Sequence, residues 1–191
     1  MNLERIVADL VQKIEQRFYG KYRGFVVDNA DPEQLGRLKL KVPSVLGSEV
    51  VTGWATPCVP YGGDANQGFL FIPEKDAGIW VEFEEGDLEF PIWVGACWSK
   101  PGGESELPKP NEADGTEQGS VQDPLTRKII KTKWHTIQFE DEDDEAMIIV
   151  KEGKNGHVIT LDKEGIKITD GANGHEITLD KVGITIADNK N

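Results

Sequence analysis

NGHVITLDKEGIKITDGA (155–172) is followed without a gap by NGHEITLDKVGITIADNK (173–190), and the two stretches agree at 12 of 18 positions. A looser copy with a longer turn, WHTIQFEDEDDEAMIIVKE, begins at Trp134. Repetition at a short fixed period is the mark of a solenoid or β-helix. Each unit reads as two short strands split by a turn. In the first strand His157, Ile159 and Leu161 share one face, while Val158, Thr160 and Asp162 share the other. The next copy sets His175, Ile177 and Leu179 against Glu176, Thr178 and Asp180, and the looser copy sets His135, Ile137 and Phe139 against Thr136, Gln138 and Glu140. The second strands add Ile166 and Ile168, Ile184 and Ile186, and Ile148 and Val150 to the apolar face.

A strand with two large apolar residues on one face and polar residues on the other cannot close a core alone. Several chains can do so by bringing their apolar faces together around an axis, and three suits strands that form the sides of a prism. Gly165 and Gly183 are then expected where the chain turns a corner.

The rest of the chain differs in character. At 2–18, Leu3, Ile6, Val7, Leu10, Val11, Ile14 and Phe18 recur at helical spacing, and Gly20 ends the pattern. This amphipathic helix must cover its stripe, either on its own domain or on a partner. Residues 21–99 alternate short strand candidates (22–28, 37–42, 49–55, 68–72, 78–84, 91–98) with turn clusters. In 37–42, Leu38, Leu40 and Val42 share one face, and Arg37, Lys39 and Lys41 the other. So many short strands in so little chain suggest a small closed barrel, which leaves no exposed edge. Residues 100–126 are rich in Pro, Gly, Glu and Ser and read as a linker.

Composition sets limits. Lys and Arg number 21 against 34 Asp and Glu, a net charge of -13. Such a surface repels phosphate backbones, so no nucleic-acid partner is expected. Cys58 and Cys97 form no metal or redox spacing and are expected as small buried residues. No apolar run is long enough to span a bilayer, and MNLERIVADL does not read as a secretory signal, so synthesis in the cytoplasm is expected.

The barrel region carries GFVVDNADPEQLGRLKLKVP (24–43) and WATPCVPYGGDANQGFLFIPEKDAGIWVEFEEGDLEFPIWVG (54–95). These motifs, in this order, resemble the OB-fold domain of the central spikes of contractile injection machines. That family includes phage baseplate assembly protein V and VgrG-type secretion spikes. The GH-x-I-x-LD repeats resemble the triple-stranded β-helix that follows that domain. The resemblance implies an all-β protein: an N-terminal helix at 1–20, an OB-type barrel at 21–99, a linker at 100–126, and a trimeric intertwined β-helix prism at 127–191. Its trimer core is expected at Ile137, Phe139, Ile159, Leu161, Ile166, Ile168, Ile177, Leu179, Ile184 and Ile186. Lysozyme-like and hub-like regions are missing from the pattern, which implies a separate baseplate hub protein. Leu3, Ile6, Val7, Leu10 and Ile14 are the residues expected to dock on it. A metal-binding HxH tip is missing too, so a separate PAAR-type tip-capping protein is a plausible partner.

The remaining constellations are bland. The run EDEDDE (140–145) lacks the glycine and spacing of a calcium loop and reads as a solvated turn. His135, His157 and His175 each open a repeat; they are metal or anion candidates in a trimer, or polar strand starts bonded to backbone. Asp28, Asp31, Glu82, Glu84 and Asp87 could supply a carboxylate pair for glycoside cleavage but fall on polar faces and turns. No catalytic motif or cofactor signature stands out. The expected function is therefore structural, not enzymatic: a homotrimeric spike in the baseplate of a virion or injection particle, meeting the target membrane transiently. The alternative is a carbohydrate-binding barrel with a trimerising tail, in which Trp54, Trp80, Trp93 or Trp98 would stack on sugar.

Overall fold

The computed structural model describes residues 3, 4, 6, 7, 11, 17–120 and 126–188. They form two compact units, Met1–Ser105 and Glu106–Asn191. Most of the helix expected at 2–18 lies outside the described residues, Leu10 and Ile14 included. Of its named stripe, Leu3, Ile6, Val7, Val11 and Phe18 are described, the first four with exposed side chains.

The first unit is built on five strands: β1 (Tyr22–Asp28), β2 (Lys39–Lys41), β3 (Thr56–Pro57), β4 (Gly78–Phe83) and β5 (Pro91–Ala96). Their order is β2-β1-β4-β5-β3. The outer strands also meet. Thr56 and Pro57 pair with β5, while Ala55 pairs with Leu38 and Val51 with Lys41, so the sheet curls closed into a barrel. Alternation along the strands fills the interior with Val26, Leu38, Leu40, Val42, Ala55, Ile79, Val81, Phe83 and Trp93. Phe18 packs its ring against Tyr22 and Phe83, and its N–H donates to Gly86 O at 2.8 Å.

Two expectations for the barrel are corrected. Residues 49–55 and 68–72 are not strands. The first makes isolated bridges, and in the second Phe69, Leu70 and Phe71 point into solvent on a loop. The apolar run 68–72 reads as strand in sequence but pairs with no neighbouring ladder. The turn expected between the candidates 37–42 and 49–55 holds a short helix, Pro43–Leu46, with proline in its first turn.

The second unit is a seven-stranded antiparallel meander: β6 (Arg127–Lys131), β7 (His135–Glu140), β8 (Met147–Glu152), β9 (His157–Asp162), β10 (Gly165–Thr169), β11 (Glu176–Asp180) and β12 (Gly183–Ala187), in simple chain order. Every strand pairs with its sequence neighbours in the same chain. An intertwined β-helix is therefore corrected: the ladder hydrogen bonds are already made within one chain, which forms one continuous wall.

Two of the connections are tight turns. In DKEG and DKVG, Asp162 Oδ1 accepts from the N–H groups of Glu164 and Gly165, and Asp180 Oδ1 from those of Val182 and Gly183. Each aspartate closes a two-residue hairpin loop. Gly165 is thus part of a hairpin and not the corner of a helix. Its φ is +145°, and a Cβ there would lie 2.0 Å from Leu179 O.

The expected linker is the largest correction. Residues 106–118 belong to the second unit and lie as a strap on the polar face of the meander. A bridge between Asn111 and Glu117 and a turn at Asp114 make the strap a small hairpin. Gln138, fully buried, accepts from Asn111 N–H at 2.7 Å and donates to Asn111 O at 2.9 Å. Thr160 Oγ1 donates to Ala113 O at 2.7 Å, and Lys131 Nζ to Lys109 O at 2.8 Å. Gly115 sits over Val158 so closely that a Cβ would lie 2.6 Å from its methyl. Beneath the strap, Ile149, Val158 and Thr136 are buried, and so is Glu140, which pairs with Arg127. Composition marked this segment as unable to bury anything of its own. It is ordered instead by hydrogen bonds to side chains far along the chain.

Candidate functional site: an uncovered apolar sheet face

The strap covers one face of the meander; the opposite face carries the apolar stripe. Strand register aligns that stripe into two columns. One runs Phe139–Ile148–Leu161–Ile166–Leu179–Ile184, each residue directly opposite the next. The other runs Ile130–Ile137–Val150–Ile159–Ile168–Ile177–Ile186. Side chains at i and i+2 lie on the same face, so the columns are neighbours. Neither column is covered: Ile159, Ile166, Ile168, Ile177 and Leu179 all retain 36–39% of their accessible surface, and on the edge strand Ile184 and Ile186 retain 73% and 74%. All ten residues expected to form a trimer core stand on this face.

A third column flanks the two on the same face. By register it reads His135, Glu152, His157, Asp170, His175, Asp188, a histidine alternating with a carboxylate across six strands. His135 is directly opposite Glu152, and Glu152 opposite His157. His157 Nδ1 lies 3.0 Å from Asp170 Oδ1, and His175 Nδ1 lies 3.1 Å from Asp188 Oδ1. The three histidines each have an acidic partner in the column. Among the described residues, no group of three or more His, Cys, Asp or Glu is gathered to hold a metal ion. Asp170 is held below the ordinary aspartate range, first by the hydrogen bond from Asn173 Nδ2 at 2.7 Å. Alternation and repeat phase made the histidines visible in sequence; their pairing with Glu152, Asp170 and Asp188 becomes visible only once the strands are in register.

Beyond the Leu161 column lie the turns that join β7 to β8, β9 to β10 and β11 to β12: residues 141–146, with five acids, then Lys163 and Glu164, then Lys181 and Val182. Lys163 Nζ donates to Asp144 O at 3.2 Å. The acidic run 140–145 thus forms the β7–β8 turn, apart from the buried Glu140.

The barrel carboxylates weighed for glycoside chemistry are mostly engaged by cations. Asp28 pairs with Lys75, Glu82 with Lys21 and Asp87 with Arg17. Asp31 accepts from Arg37 Nη2 at 2.7 Å and Nε at 3.1 Å, and from the N–H groups of Glu33, Leu35 and Arg37. These bonds, the Arg37 side chain foremost, hold its carboxyl well below the usual range. Trp93 is buried and donates to Gly36 O, Trp54 lies under Arg37 and Lys39, and Trp80 lies under Arg23. Only Trp98 of the four is widely exposed. An aromatic cluster that the strand reading missed, Tyr61, Phe69 and Phe71, projects from the 58–73 loop with its rings tilted at 67° and 51°. Both cysteines are free; Cys58 is exposed and Cys97 partly so, against the expectation of burial. Among the described residues no helix is long and apolar enough to cross a membrane.

No curated protein matches the chain. Residues 22–98, the barrel, match the family described as the type VI secretion system/phage-baseplate injector OB domain.

Proposed function

We propose, on the premise that residues 22–98 are an injector OB domain of the phage baseplate assembly protein V family, that three copies of this chain form the central spike of a contractile tail or related injection particle. The observation that carries this reading is the uncovered two-column apolar face of the meander. A sheet with one face open needs a partner for it, since an apolar stripe left in water forfeits about 25 cal/mol for each Å² not buried. Three walls facing inward around one axis would cover the stripes and leave the strapped, polar faces outside. Because each chain pairs its own strands, the assembly is a three-walled prism, not an intertwined helix.

In this reading the barrel attaches the protein to other baseplate components, with the N-terminal stripe contributing to a hub contact. The prism is the shaft that sheath contraction drives through an envelope. The role is mechanical, with no catalytic step. The edge strand β12 would still offer unpaired backbone groups and the exposed Val182, Ile184 and Ile186. A separate tip-capping protein pairing with that strand is part of the proposal. Imaging intact particles tests it: density beyond β12 is expected, and a bare terminal layer would refute the cap.

Light scattering of the purified protein tests the central claim. A mass of three chains is expected, and a monomer at micromolar concentration would sink the spike reading. The carbohydrate alternative draws on the exposed Tyr61, Phe69 and Phe71. Their tilted rings offer a sugar no common plane on which to stack. Glycan-array binding by the barrel would revive it.

A further inference from the structure

We infer that the outer face of β1 and β2 is a docking strip for a protein partner that presents carboxylates. This inference rests on the reading above that the barrel joins another baseplate component, and it names the surface and the chemistry of that contact. Residues 21–99 carry six Lys and Arg against twelve Asp and Glu, yet four of the six cations stand on this one face. Alternation buries Gly24, Val26 and Leu40 and turns Arg23, Phe25, Lys39 and Lys41 outward. Register sets Phe25 directly opposite Lys41, and Arg23 directly opposite Trp80 on β4. On its other side Lys41 bridges to the exposed Val51. The Arg23 guanidinium lies 5.3 Å over the Trp80 ring, and Arg37 and Lys39 lie 5.8 and 5.1 Å over that of Trp54. From Trp80 to Trp54 the strip crosses roughly 15 Å of sheet.

Three of these cations have no acid of their own. Arg37 is engaged by Asp31 and Glu33, but among the described residues Arg23, Lys39 and Lys41 form no ion pair. The neighbouring acids are held elsewhere. Glu82 pairs with Lys21, Asp28 pairs with Lys75, and Glu49, two residues before Val51, accepts from Ser48 Oγ at 3.1 Å. Unpaired cations side by side repel one another, and an anionic partner relieves that repulsion. Resting on a ring also limits the motion of Arg23 and Lys39, so less freedom is lost when a partner binds. The same contacts disfavour nucleic acid. Base stacking needs open ring faces, whereas Trp54 and Trp80 each carry a cation and only Phe25, with 51% of its surface accessible, stands free. The net charge of -13 also repels a long phosphate backbone. An acidic protein meets the same repulsion over the rest of the surface, which confines its docking to this strip.

Fluorescence anisotropy on the full chain tests the strip, with a labelled oligoglutamate peptide and a labelled oligothymidylate of equal length as probes. The peptide is expected to bind at low salt and to weaken as salt rises. R23E/K41E should weaken it by about tenfold or more. K154E/K181E, an equal change of net charge on exposed residues of the second unit, should leave it unchanged. Should the reversals disturb the barrel's unfolding transition, R23Q/K41Q takes their place, with a smaller loss expected. No peptide binding, or binding that these variants leave intact, would overturn the strip. Tighter binding of oligothymidylate, lost in the same variants, would overturn the carboxylate partner in favour of nucleic acid. In assembled particles a carbodiimide, which joins lysine amines to adjacent carboxylates, is expected to link Lys39 or Lys41 to an acid of a different protein. Links only to another copy of this chain would overturn that partner. A monomeric protein that still binds the peptide through Arg23 and Lys41 would overturn the spike reading while upholding the strip.

Discussion

The two halves of this chain solve the same problem in different ways. The barrel closes on itself, and its nine core side chains are buried by strands of the same unit. The meander stays open. Among its described residues only Ile149 and Val158 are buried apolar side chains, and both lie beneath the strap rather than within the stripe. Both units obey the same alternation of apolar and polar residues. What separates them is closure: the barrel brings its outer strands together through Ala55 and Leu38, whereas the meander runs in chain order from β6 to β12 and its outer strands do not pair. A closed sheet is a self-sufficient fold, and an open one with an apolar face is half of an interface.

That contrast can be broken most sharply at Ile177. An aspartate there would place a charge in each copy's apolar column, with a burial cost on the order of several kcal/mol per chain. Loss of the trimer is expected by light scattering, while the barrel keeps its own unfolding transition. If I177D remains a trimer of unchanged thermal midpoint, the stripe does not face inward.

A smaller effect is expected under the strap. Gln138→Ala leaves the buried N–H and C=O of Asn111 without partners. The cost should be about 1–3 kcal/mol for each group left unsatisfied. Hydrogen exchange should show 106–118 opening first. A strap as well protected as in the wild type would mean that these bonds do not order it.

The barrel offers a pH test that turns on one residue. Asp31 is held below its ordinary range by Arg37 and three backbone N–H groups. A depressed folded value means the contribution is full above the unfolded aspartate pKa of about 4 and is lost as pH falls below it. The barrel's melting temperature should therefore drop on acidification, and Asp31→Asn should flatten that part of the profile. An unchanged profile in the variant would assign the acid loss to other carboxylates.

The smallest effect is expected at Thr178, on the strapped side of the sheet but beyond the strap. Thr178→Asp should shift stability by no more than about 0.5 kcal/mol. A loss as large as that from I177D would reverse the assignment of the two faces.

Much of this was legible in the sequence because alternation is a local signal. Leu38, Leu40 and Val42 announced a barrel face, and the repeat announced which meander residues share a side. The strap was not legible, since its order comes from Gln138, Thr160 and Lys131, which are distant in sequence and of ordinary type. A trace of it was present, however. Val158 stands where the next repeat has Glu176, and Ile149 stands on a polar face where later strands carry Lys167 and Thr185. Two apolar residues out of phase mark the patch the strap covers. The third column was hidden for a different reason: Glu152, Asp170 and Asp188 close the second strands, and only antiparallel register returns them to the histidines that open the first. The 68–72 run misled in the opposite direction, because strand-like composition cannot show whether a partner strand is present.

The hairpin turns carry one more consequence. Each DK-x-G turn starts and ends at the same register, so a repeat of 18 residues returns the chain to where it began, two strands further on. At about 4.8 Å between strands, each unit lengthens the wall by roughly 10 Å. Reach is thus a matter of counting: duplicating one unit in the gene extends the ruler by one mark without redesigning a single contact.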